Sequence, residues 1–128
     1  MTRFDADDPR ERRKLFAEAI AAHRTRASSF VTLEADAEDD DAPRPWLQFG
    51  DNTFNVDVTD AELDDLKTLV GEFPEFRVEQ LESPETAEGT NARITARSDP
   101  NRLATFADRV FLDVYDRPET YRAWVAEV

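Results

Sequence analysis

One imidazole, His23, and no cysteine limit the nucleophilic chemistry open to this 128-residue chain. Any Ser/His/Asp or Cys/His arrangement must use that one ring. His23 lies on an apolar helical stripe, one turn after Ala19 and Ile20, the ordinary setting of a partly buried, hydrogen-bonded histidine. No serine stands in a glycine-flanked strand-to-helix elbow, and three glycines leave no phosphate-cradling loop. Carboxylates are so abundant that a carboxylate- or metal-dependent hydrolase has no distinguishing signal. The run DAEDDDAP lacks the glycine turn and terminal Glu of a calcium loop and reads as a solvated acidic segment. The expectation is a protein without enzymatic activity, cofactor or metal.

Arginine is the other chemistry-bearing type. Arg10, Arg12, Arg13 and Lys14 fall within one and a half helical turns, with Arg24 and Arg26 at the far end. They suit phosphate contacts, and a nucleic-acid-associated regulator is the alternative reading. They suit equally well ion pairs with the chain's own acids. Arg77, Arg93 and Arg97 form a second group on two strands expected to pair, where their outward side chains would share a polar face with Glu79. Tyr121 and Trp124 form a third group near the C-terminus, on a segment expected to dock on the core or on a second subunit. The candidate partner-binding residues are therefore Arg10, Arg12, Arg13, Arg77, Arg93, Arg97, Tyr121 and Trp124. Trp46, at a strand start, reads as core.

Charge sets the environment. The formal net charge is −13, and only Lys14 and Lys67 are lysines among sixteen basic residues. Such a surface holds water and ions at high salt, and salt screens its self-repulsion. The composition resembles that of halophilic archaeal proteins and points to an archaeal family of unassigned function. Residues 1–26 carry a net +2 and residues 27–128 a net −15, so a cationic segment sits on an anionic body that opposes a polyanion. Nine Phe at patterned positions argue against disorder despite 35% charged residues. No apolar run reaches membrane-spanning length and the N-terminus has no signal-peptide core, so cytoplasm is expected. The expected partner is a protein, with homodimerisation open.

One domain of 128 residues positions these groups. Asp8, Pro9 and Glu11 open a first helix that fades near Arg26 to Ser28, with Leu15, Phe16, Ala19 and Ile20 on its buried stripe. Ser29 to Ala35 reads as a strand, and residues 36–45 as a flexible acidic loop. Trp46 to Phe49 and Thr53 to Val58 form a hairpin about Gly50-Asp51-Asn52. Thr59 and Glu62 make a capping box for a helix ending at Gly71. Strands follow over about 75–82 and over Thr90 to Arg97, joined by a turn at 83–89. Asp99 and Pro100 start the next helix. Asp116, Pro118 and Glu119 predict a short terminal helix, with Tyr121, Trp124, Val125 and Val128 on one apolar side and Trp124 as anchor. The fold class is α+β, a five-stranded, mostly antiparallel sheet in the order α-β-β-β-α-β-β-α plus that terminal helix. This order, with the acidity, resembles the type III secretion chaperone-like fold, which implies a small protein that binds segments of other proteins and dimerises.

Overall fold

The computed structural model describes residues 5–27, 29–37, 39, 42–83 and 89–126. Parts of the acidic loop and of the 83–89 turn, and Val128, lie outside them. In chain order the elements are β1 (Asp5–Ala6), α1 (Pro9–Arg26), β2 (Val31–Ala35), β3 (Trp46–Gly50), β4 (Thr53–Val58), α2 (Asp60–Gly71), β5 (Phe76–Glu82), β6 (Thr90–Ala96), α3 (Pro100–Arg109) and β7 (Ala123–Ala126). Helix α3 runs on as a π-helical turn over Val110–Val114.

Each helix begins where local chemistry requires. The Asp8 carboxylate accepts from the amides of Arg10 and Glu11, Asp99 accepts from Arg102, and Thr59 and Glu62 cap each other reciprocally. The β3–β4 turn differs from expectation in one respect. Asp51 and Asn52 alone make it, with φ of 50° and 56°, the paired left-handed residues of a type I′ hairpin. Gly50 belongs to β3, where a Cβ would stand 2.3 Å from the Ser29 carbonyl oxygen. Its lack of a side chain lets the Ser29–Phe30 backbone cross the strand closely.

The α+β class holds, but the sheet has seven strands, all antiparallel, in the order β1-β7-β2-β3-β4-β6-β5. The expected pairings of β3 with β4 and of β5 with β6 are present. Two corrections concern the ends. A two-residue strand precedes α1, and the expected C-terminal helix is β7, inserted between β1 and β2. A short apolar run does not disclose its period, and β2 offers an edge of unpaired amides and carbonyls that β7 satisfies. The carbonyls of Glu119 and Tyr121 accept from the Arg12 guanidinium at 2.7 and 3.0 Å, which takes them away from a helical ladder. The element order that carried the chaperone resemblance therefore lacks a strand at each end.

All the helices lie on one side of the sheet. Phe16 and Ile20 of α1, Leu66 and Leu69 of α2, and Phe106 and Phe111 of the α3 segment share one core with Leu33, Leu47, Phe49, Phe54, Val56 and Ile94. Strand residues on the opposite side are half-buried or exposed. That side of the sheet has no layer over it among the described residues.

Candidate functional site

Two polar constellations emerge, one inside the fold and one on its open face. The inner one centres on Arg12, fully buried. Its Nε donates to Asp108 Oδ1 at 2.9 Å. The guanidinium lies 3.9 Å from the centre of the Tyr121 ring, and the Tyr121 hydroxyl donates to the same Asp108 oxygen at 2.8 Å. Nη1 adds three backbone carbonyls, those of Asp7, Glu119 and Tyr121. Burial, then the Asp108 charge and hydrogen bond, push the Tyr121 hydroxyl well above its ordinary pKa, so it stays protonated and donates. This cluster ties α1, α3 and the approach to β7 together. Its side chains are sealed from solvent, and its chemistry is structural.

His23 is also buried, edge-on to Phe49 at 6.0 Å. Burial, and secondarily the Arg24 charge, hold its pKa below the usual value. Among the described residues no group of three or more His, Cys, Asp or Glu is placed to hold a metal ion.

The outer constellation follows from strand register. One row across the sheet is Thr32, Gln48, Asn55, Arg93 and Gln80, and the next is Gly50, Thr53, Thr95 and Arg77. Neither row contains a carboxylate. The acids stand around them: Glu34 and Asp57 on the flanking rows, Asp51 at the turn, and Glu79 at a bulge in β5. Hydrogen bonds knit the amides, with Asn91 donating to Asn55 Oδ1 at 2.6 Å and to Asp57 Oδ1 at 2.9 Å. Thr95 donates to Glu79 at 3.1 Å. Phe30, 50% exposed, borders a shallow depression of about 420 Å3 whose other walls include Gln48, Asn55, Glu79 and Arg93. Farther along the face Trp46, Glu34 and Trp124 form another row, and the Arg44 guanidinium lies 4.7 Å from the Trp124 ring centre.

The residues read from the sequence are thus divided. Arg77 and Arg93 are neighbours on the open face, Trp124 on β7 is on the same face four strands from Arg93, and Arg97 is exposed just past β6. Trp46, expected in the core, is half-buried on the open face. Arg10, Arg13 and Lys14 line a separate groove of about 640 Å3 beside α3, with Asn101 and Thr105. Arg12 and Tyr121 are enclosed. Tyr121, rather than Trp124, is the anchor of the C-terminal segment. Asp108 and the amide rows escaped sequence reasoning. Arg12 carried a usable signal, since it stands three and four residues before Leu15 and Phe16 and so continues the buried stripe.

The model of a family described as a family of unknown function, DUF7975, matches residues 1–128. No curated protein and no solved structure matches the chain.

Proposed function

We propose that this chain, which belongs to DUF7975, a family of unknown function, is a non-enzymatic adaptor or chaperone-like domain that binds a partner protein through the open face of its sheet, in cytoplasm of high salt. One observation carries the reading. On a chain of net charge −13, carboxylates are missing from two adjacent rows, one mid-sheet and one beside the β3–β4 turn, on a sheet face that no described residues cover. A face kept only for hydration at high salt would have the same use for Asp and Glu as the rest of the surface. Amides, threonines, two arginines and an exposed phenylalanine, with acids on the neighbouring positions, match the carboxylate-poor middle and polar rim of a protein interface. Arg93 and Arg77 can pair bidentately with partner carboxylates, a contact geometry Lys does not reproduce.

The test is affinity capture from lysate kept at molar potassium chloride, comparing the native chain with Gln48→Glu plus Asn55→Asp. Those changes extend the acidic rim into the depleted rows without altering side-chain size. Partners captured by the native chain should be lost by the variant while its melting curve stays in place. Undiminished capture would refute the open-face reading. The groove of Arg10, Arg13 and Lys14 favours a second reading, contact with phosphates. Duplex DNA binding at molar salt, abolished by Arg10→Gln plus Arg13→Gln, would put that reading first.

A further inference from the structure

We infer that the β5 edge is a self-recognition surface, at which a second copy of this chain adds its own β5 antiparallel and the two sheets continue as one. Strand β5 has β6 on one side and no described strand on the other, so alternate backbone amides and carbonyls lack ladder partners. Leu81 on this strand is 42% exposed, beside half-buried Val78 at the rim of the helical layer. An unpaired edge of this length with an exposed leucine is a template for another strand.

The bulge determines how a copy would fit. Val78 pairs with Ile94 and Gln80 with Arg93, which leaves Glu79 as the additional residue between them. Phe76, Val78 and Leu81 therefore point to the helical side, and Arg77, Gln80 and Glu82 to the open side. Glu79 also turns to the open side, where it accepts the Thr95 hydroxyl. Paired residues of antiparallel strands share a face. Sliding one β5 along another, one register keeps every pair from 77 to 82 on a common face. It sets Arg77 against Glu82, Val78 against Leu81 and Glu79 against Gln80 of the second copy. Each dimer then gains two Arg–Glu pairs on the open side and two Val–Leu contacts on the helical side, with no like charges directly opposed. Without the extra residue, Arg77 and Glu82 would face opposite sides. The bulge that would blunt this edge toward other strands brings its charges into complementarity with its own copy.

Six paired residues make a small interface, so the expected dimer is concentration-dependent rather than obligate. Sedimentation equilibrium at molar potassium chloride tests it. The contacting ion pairs stand within even the ~3 Å Debye length of such salt. The native chain should show a monomer–dimer equilibrium. Arg77→Glu or Glu82→Arg, each opposing like charges twice per dimer, should weaken it about tenfold, and the double exchange should restore it. Leu81→Lys should weaken it through the apolar side. All these positions are exposed edge residues, so melting of the dilute chain should not move. A native chain monomeric up to its solubility limit, or a dimer indifferent to all four variants, would overturn the inference. The open-face reading shares Arg77 and Gln80 with this edge, but its test lies at Gln48 and Asn55 on β3 and β4, so the two can fail separately.

Discussion

Arg12 shows how one side chain can decide the path of a distant segment. It enters the core from the first turns of α1, and its hydrogen bonds reach residues 96 and 109 positions later in the chain. Removing one member of a buried charged pair leaves the other unpaired in a poorly solvating interior, at a cost of roughly 3–5 kcal/mol. Asp108→Ala should lower unfolding free energy by that order in denaturant titrations at high salt. Arg12→Met with Asp108→Leu should recover most of it, because neither charge is then buried. A double variant as unstable as the single one would show that the carbonyl contacts of Arg12, more than its charge pair, hold the fold. His23 gives a pH dependence with a definite sign. Its folded pKa is lowered, so its contribution to stability is complete above the ordinary value of about 6.5 and is lost as pH falls through the depressed value. Between about pH 7.5 and 5, above most carboxylate titration, the native chain should lose stability as pH drops. His23→Phe should flatten that slope, and an unchanged slope would remove His23 as its source.

At the scale of elements, the last strand separates what spacing implies from what pairing enforces. Tyr121 and Trp124 lie three residues apart, as on one side of a helix, yet in the structure they have opposite fates. Tyr121 is sealed beneath Arg12 and against Phe111. Trp124 stands on the open face between Glu34 and Asp5 in the ladder. Deleting a large packed aromatic costs roughly 3–5 kcal/mol, so Tyr121→Ala should melt far below the native chain. Trp124→Ala, losing only part of a ring's contacts, should cost less than half as much. The order of the two melting temperatures is the measurement, and the reverse order would mean that Trp124 anchors β7. Short segments of this kind are legible only once the edge they pair with is known.

The whole molecule is a two-layer sandwich held near its margins by arginine. Arg102 grips Glu75 with two bonds, at 2.9 and 3.2 Å, Arg109 reaches Glu72 at the end of α2, and Arg122 joins Asp5 and Asp7. The Arg102 hydrogen bonds hold the Glu75 pKa below its ordinary value. These contacts neutralise only part of the charge, and the net −13 repels itself most where screening is weakest. The melting temperature should therefore rise as potassium chloride goes from millimolar to molar. A flat or falling curve across such a series would show that local pairing outweighs the net repulsion.

Local chemistry determined the elements whose signals are local. Asp8 with Pro9, Thr59 with Glu62 and Asp99 with Pro100 cap their helices, because a cap is a contact between residues two or three apart. Alternation in 53–58 and 90–96 marked strands with one buried face, since side-chain period follows from backbone geometry alone. The same alternation in 76–79 and 90–96 puts Arg77 and Arg93 on one face once the two strands pair. Tertiary structure alone decided that residues 123–126 are a strand, that Asp108 is the partner of Arg12, and that Trp124 stands on the same open side as Arg93. Each of those outcomes depends on a partner many residues away, a sheet edge, a buried carboxylate or a strand register. The free energy of meeting such a partner outweighs the local preference of a short segment.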